Sequence, residues 1–254
     1  MTTLLIDADG VAFQAASAVQ RGILWDDDTY TLHADRGEAQ DKFLDLIDSI
    51  QEAVSPDAEI ILCYSCPSRR YFRHDLLPTY KGNRKDMPPL ALRDLKAWSS
   101  IEFNARTKPG LEADDVLGIL ATHPKLIPGE KIVVSVDKDL DQIPGLHLNP
   151  RALDEGVYRV NPDYAERLLW TQVLTGDQTD NYSGLPSCGP KSAEKILDVP
   201  AAEYEAAVTA AYLKKGLTVE DMAVQVNVAR ILHHTHYNFR KKEPVLWQPK
   251  KALS

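Results

Sequence analysis

Leu4-Leu5-Ile6-Asp7 decides the fold: three consecutive apolar residues end on an acid. So short an unbroken apolar run reads as a strand buried on both faces, and residues 3–7 are assigned to one. The pattern returns at Ile132-Val133-Val134-Ser135-Val136-Asp137, and residues 58–64 read as a third strand. Between them, Phe43, Leu44, Ile47 and Ile50 fall at helical spacing within residues 37–53, and residues 112–122 read as a further helix. This β-α-β-α alternation predicts an α/β fold: a mostly parallel central sheet with helices on both faces. Such sheets bind ligands beyond the carboxyl ends of their strands, where Asp7 and Asp137 stand.

Acids recur at other element ends. Glu112, Asp114 and Asp115 open a helix, Asp137 and Asp139 follow a strand, and Asp177 and Asp180 follow an amphipathic stretch. Carboxylates are seldom gathered unless something positive holds them. Residues i and i+2 share one side of an extended chain, and i and i+3 share a helix face, so each group is able to converge. An oxygen-only donor set suits Mg²⁺ or Mn²⁺, and a pair of hard cations suits phosphodiester hydrolysis. Asp137-Lys138-Asp139-Leu140-Asp141 imitates a calcium loop, but Gln142 and Leu148 stand where that loop needs Gly and Glu.

The chain of 254 residues has room for one large domain or two smaller ones. No apolar run approaches a membrane span and the N-terminus has no leader pattern, so a cytoplasmic protein without membrane contact is expected. Its three cysteines fit a reducing compartment; Cys63 and Cys66 lack the two further ligands that zinc needs and read as small strand-end hydrophobes. His233, His234 and His236 read as a solvated helix end. The net charge of −8 argues superficially against nucleic acid, but the four clusters hold eight carboxylates. Metals would neutralise these, so local basic segments become the better guide.

One such segment spans residues 67–109, where Arg69, Arg70, Arg73, Lys81, Arg84 and Lys85 alternate with Tyr71, Phe72 and Tyr80. A phosphate-binding surface is its sharper reading, a solvated basic face the plainer one. After residue 160 the chain turns helical. Asn161-Pro162 opens a helix to residue 175, and residues 203–215 and 219–234 follow as helices. Residues 181–198 read as helix, glycine-containing hairpin, helix, with Gly184, Gly189, Lys191 and Ser192 at the turn. Free N–H groups at a helix start bind phosphate without reading bases. The tail from Lys241 reads as extended.

Five ordered stretches resemble the 5′-nuclease superfamily, which includes flap endonucleases, phage 5′–3′ exonucleases and the 5′-nuclease domain of bacterial DNA polymerase I. They are Leu4–Asp7, Phe72–Arg84, Glu112–Val116, Asp137–Ile143, and Gly176–Asn181 running into the hairpin. The resemblance is strongest to a stand-alone phage exonuclease. It implies a PIN-like nuclease core over residues 1–160, a helical arch within 67–109, and a helical DNA-binding region over 161–254 with a helix–three-turn–helix module.

It further implies that Asp7, Glu112, Asp114 and Asp115 hold a first metal. Asp139, Asp177 and Asp180 serve a second, with Asp137 at or near the site. Lys81 and Arg84 reach the scissile phosphate; Arg73 and Tyr80 join them on the DNA; the hairpin grips duplex and takes K⁺. The implied partner is DNA with a 5′ end, flap or nick, including RNA-primed ends, acted on by a monomer alongside a DNA polymerase.

Two rival readings use parts of the same sequence. Leu4–Val11 also resembles the opening motif of HAD-type phosphatases, with Asp7 as nucleophile and Asp9 as general acid. That leaves Tyr80–Arg84, the Glu112 group and the hairpin unused. A non-catalytic DNA-binding module would use the hairpin and basic segment and would need no set of placed carboxylates.

Overall fold

The computed structural model describes residues 1–83 and 87–249. Strand β1 (Thr2–Asp7) leads into α1 (Ala8–Val19), a ribbon of β2 (Arg21–Leu24) and β3 (Tyr30–His33), then α2 (Arg36–Val54) and β4 (Glu59–Cys63). Helices α3 (Phe72–Leu76), α4 (Leu92–Glu102) and α5 (Ala113–Thr122) precede β5 (Glu130–Val134), β6 (Gly145–Leu148) and β7 (Tyr158–Val160). Helices α6 (Pro162–Thr175), α7 (Pro190–Ile196), α8 (Tyr204–Lys214) and α9 (Val219–Ala229) follow, with the short pair β8 (Tyr237–Asn238) and β9 (Glu243–Pro244) last.

The sheet runs β4-β1-β5-β6-β7, parallel except for β7, which pairs antiparallel with β6. It is therefore mixed, with an antiparallel edge. β1 lies between β4 and β5, so its backbone is paired on both sides and its side chains are covered on both faces. Leu4 and Ile6 join a core with α1, α2 and α4. Leu5 points the other way, into a core with Val116, Leu117 and Ile119 of α5. This is the period of two expected of a pleated strand. In register, Asp7 lies beside Cys63 and Ile6 beside Val134, so Asp7 and Asp137 emerge at the same carboxyl edge.

A third core gathers Trp170, Val173 and Leu174 of α6 with Val208, Tyr212, Met222 and Val226 of α8 and α9. This helical region does not stay apart. Ile231, Leu232 and Tyr237 return to the sheet core beside α5, and Gln142 accepts from Ile231 N (3.0 Å) while donating to Ala229 O (2.9 Å). Among the described residues no helix is long and apolar enough to cross a membrane.

Several elements depart from expectation. Helix α4 packs Leu95 and Trp98 against α1 and α2, so the second half of the basic segment belongs to the core layer and only its first half borders the acidic pocket. Residues 181–189 contain no helix; the helix before the hairpin is α6, ending at Thr175. Gly176 (φ 69°) and Gly184 (φ 61°) let the two arms of that turn touch: a Cβ on Gly176 would lie 2.4 Å from the Ser183 carbonyl carbon. Helix α9 stops at Ala229, not at residue 234. The histidines beyond it are packed: His233 bonds Gln142 O, and burial pushes His236 down to about 3. The tail folds back through the reciprocal pair Asn227 and Trp247 (3.0 and 2.7 Å).

Candidate active site

Glu112 caps the start of helix α5, and it and Asp115 are taken up internally. Arg73, 3% exposed, spends its guanidinium there. Nη1 donates to Glu112 Oε2 (3.0 Å) and Asp115 Oδ2 (2.6 Å), and Nη2 donates to Asp115 Oδ1 (2.9 Å). Asp115 is fully buried and also accepts from Leu232 N (3.2 Å). Tyr80 OH lies between Glu112 Oε2 (2.9 Å) and Asp180 Oδ2 (2.8 Å). Lys81 contacts the other oxygen of Glu112 and lies 3.4 Å from Asp180. These neighbours, Arg73 chief among them, replace the water that burial removes.

Asp7, Asp114 and Asp139 stand in different company. Asp7, 9% exposed, accepts from Ser135 Oγ (3.0 Å) and Gly10 N (3.4 Å). Burial pushes its carboxyl up to about 6, and the charges of Asp9 and Asp137 push the same way. Asp114 is raised well above the usual range, first by burial and then by Asp7, with Lys81 opposing. Asp139 rises to about 7, through burial and then through Asp137, Asp177 and Asp180; Gln172 Nε2 donates to it at 2.7 Å. Asp137 acts on all three, so the acids form two neighbouring groups that share it.

The loop carrying Asp177 and Asp180 closes on itself, with Asp177 N and Tyr182 N each donating to the other residue's carbonyl (2.9 and 3.0 Å). It is stapled to the Thr79–Asn83 loop by Lys81 N to Asp180 O (2.9 Å), Asn83 Nδ2 to Gln178 O (2.6 Å) and Asn181 Nδ2 to Thr79 O (2.6 Å). The base of the basic segment thus rests on the acidic pocket.

The residues present fit hard cations. Every donor is a carboxylate, and burial, then repulsion from neighbouring acids, makes three of them hold protons unusually firmly. Among the described residues no three of them are drawn into a finished cage.

The placement of the expected residues is uneven. Asp7, Asp114, Asp137, Asp139, Asp177, Asp180, Glu112 and Lys81 form one cluster within electrostatic reach of one another. Asp115 does not face it, because Arg73 takes both its oxygens. Arg73 and Tyr80, expected on DNA, are internal (each 3% exposed), and Gly184 is buried where its N–H donates to Gln225 Oε1 (2.8 Å). Gly189, Lys191 and Ser192 are exposed at the start of α7, beside an open groove of about 490 Å³ lined by Arg167, Lys191, Glu194, Lys195 and Asp198. Arg84 lies outside the described residues. Sequence reasoning missed Ser135 and Gln172. Ser135 had a signal, standing two residues before Asp137 just past the end of β5; Gln172 had none beyond its place on α6.

Residues 2–159 match the family described as 5′–3′ exonuclease, N-terminal resolvase-like domain. The chain is 27% identical to the exonuclease of Escherichia phage T7, over 97% of this chain and 93% of that protein. Its fold is similar to that of the T5 5′-exonuclease with bound divalent metal ions (zinc), with a TM-score of 0.61 at 16% identity over 90% of this chain and 89% of that one. It is also similar to the bacteriophage T5 flap endonuclease in a pseudo-enzyme–product complex with DNA and metal ions, with a TM-score of 0.56 at 15% identity, covering 90% and 92%. With the carboxylate edge of the sheet and the Lys81 loop folded over it, the chain belongs to the 5′–3′ exonuclease family.

Proposed function

We propose that the chain hydrolyses phosphodiester bonds near DNA 5′ ends, as a metal-dependent 5′–3′ exonuclease and flap endonuclease working with two divalent cations, Mg²⁺ or Mn²⁺. The observation that carries this reading is the set of under-neutralised carboxylates shared around Asp137. Asp7, Asp114 and one oxygen of Glu112 would hold one cation; Asp139, Asp177 and Asp180 would hold the other, with Asp137 between them. Bound there, such ions supply a water of lowered pKa and stabilise the leaving oxygen.

The chain's own groups do the rest. Lys81 stands between the two acid groups, where its ammonium meets a phosphate that enters the pocket and steadies the negative charge developing on it. Ser135 and Gln172 hold Asp7 and Asp139 in place through neutral bonds that leave the carboxylate charge for a cation. The exposed start of α7, with Lys191 and Ser192, would meet duplex phosphates without reading sequence.

The phosphatase reading loses its general acid. Asp9 accepts from Ser65 N (3.0 Å) and pairs with Lys96 of α4. A pure binding module needs no cluster of carboxylates at the sheet edge. The test is chelated protein titrated with Mg²⁺ or Mn²⁺ on 5′-labelled blunt, nicked, flapped and RNA-primed duplexes. Metal-dependent release of short 5′ products is expected. No cleavage of any substrate at any metal concentration overturns the proposal.

A further inference from the structure

Arg73 belongs neither to the cation-facing acids nor to a DNA surface, yet the pocket is built around it. It stands at the second position of the short helix α3, and its five N–H donors are all engaged. Besides the bonds to Glu112 and Asp115, Nε donates to Val228 O (2.9 Å) and Nη2 to Arg230 O (2.7 Å). Phe72 lies 4.7 Å from the guanidinium carbon and Tyr80 5.9 Å, so aromatic rings shield the group from water. Asp115 completes the joint by accepting from Leu232 N and Glu112 N (3.2 and 3.3 Å).

Two consequences follow for Glu112. Its Oε2 is held by Arg73 and Tyr80, so a side chain with three free torsions is reduced to one pose, and its Oε1 projects to where Lys81 stands. Glu112 also shares Arg73 with a second carboxylate. Arg73 carries one positive charge and Asp115 binds it in a two-pronged fork, so the guanidinium is divided between two carboxylates and does not cancel Glu112 by itself. Without Asp115, Arg73 would neutralise Glu112 outright. A lysine cannot do this work, because a single ammonium lacks the planar fork that spans two carboxylates and two carbonyls.

We propose that Arg73 is a positioning residue for the cation subsite at Glu112, and that it couples this subsite to the segment Val228–Leu232 that returns from the helical region. The proposal rests on the metal-dependent reading above. It makes the Val228–Leu232 segment part of the active-site scaffold, so the orientation of Glu112 depends on residues more than a hundred positions away in the chain.

The test uses the full chain with Arg73→Lys, Arg73→Met and Asp115→Asn, each checked for folding by circular dichroism well below its melting temperature. Mn²⁺ binding is measured by calorimetry without DNA, and cleavage is measured as a function of Mg²⁺. All three folded variants are expected to bind Mn²⁺ about tenfold or more weaker and to need correspondingly more Mg²⁺ for half-maximal cleavage, the range seen when a ligand's supporting partner is lost. Arg73→Lys is expected to recover little of this. Should Arg73→Met not fold, the near-isosteric Asp115→Asn and the charge-keeping Arg73→Lys decide the matter. Folded variants of lowered melting temperature whose Mn²⁺ affinity stays within about twofold of wild type, short of the loss expected from a supporting partner, reduce Arg73 to a clamp and overturn the proposal. A wild-type chain that binds no Mn²⁺ overturns it together with the metal reading on which it rests.

Discussion

The two ends of the acidic pocket carry the same residue type in different company. At the α5 end, Glu112 and Asp115 are bound by Arg73 and flanked by Tyr80 and Lys81. At the other end, Asp7 at the close of β1 and Asp139 in the turn after β5 receive their nearest hydrogen bonds from neutral groups: Ser135, Gly10 and Gln172. The first set is anchored by Arg73, which takes both oxygens of Asp115 and one of Glu112 and ties the core to the returning C-terminal segment. The second keeps its charge and holds protons up to about pH 6 and 7. Asp115, which builds the pocket, is thus told apart by its counter-charge from Asp7 and Asp139, while Glu112 keeps one oxygen for each part.

The comparison is broken most directly by removing one acid from the second set. Asp139→Asn keeps the shape and the bond from Gln172 but removes the charge. Cleavage at saturating Mg²⁺ should fall about a thousandfold, or about 4 kcal/mol of transition-state stabilisation. The metal-free melting temperature should rise, because a charge repelled by Asp137, Asp177 and Asp180 is gone. Glu112→Gln should do the opposite to stability, since it leaves Arg73 buried with one counter-charge fewer. Melting curves and single-turnover assays on both variants check this; equal destabilisation of the two would erase the distinction.

Lys81 links both sets, through Glu112 and Asp180. Its removal in Lys81→Ala should lower single-turnover cleavage by about a hundredfold, while the dissociation constant for flap DNA changes by no more than about threefold. Parallel loss in rate and binding would make it a general anchor.

Charge repulsion in the second set also sets a pH dependence. Unfolded, these acids ionise near 3.8, whereas folded Asp7 and Asp139 do so near 6 and 7. Between those limits the native state holds more protons than the unfolded one, so their contribution makes stability fall as pH rises from about 4 to about 7 and level off above. A cation relieves the repulsion only when the acids are ionised. The rise in melting temperature on adding Mg²⁺ should therefore be small at pH 5 and largest above pH 7; a rise independent of pH would show that these acids are not where the ion binds.

Much of this was legible before the structure, for physical reasons. The buried strands announce themselves because β1 has neighbours on both edges and cover on both faces, which forces Leu4-Leu5-Ile6 to be apolar throughout. The acids stand out because so few residue types tolerate that position. What did not show was partnership. Arg73 and Lys81 look alike as basic residues eight positions apart, yet one is sealed behind two aromatic rings and the other faces the pocket. The contacts that separate them come from Val228 and Arg230, at sequence distances over which no local pattern extends. The β2–β3 ribbon was missed because Ile23, Leu24, Trp25, Tyr30 and Leu32 are exposed, so no alternation of buried and open positions marks it.

Asp9 belongs to neither set and gives the smallest expected effect. It is close enough to raise the pKa of Asp7, as a member of the second set would be. Like the first set, it has a basic partner of its own, Lys96, and its carboxylate also caps Ser65 N at 3.0 Å. Asn in its place still accepts that bond and gives up only the partly exposed pairing with Lys96, a loss of about 1 kcal/mol. Cleavage by Asp9→Asn should stay within about fivefold of wild type. Asp7, relieved of a negative neighbour, should ionise more readily, so the acid limb of the pH–rate profile should move to lower pH. A loss of about a thousandfold would instead make Asp9 a cation-serving acid in spite of Lys96, and counter-charge would then no longer separate the two kinds of carboxylate.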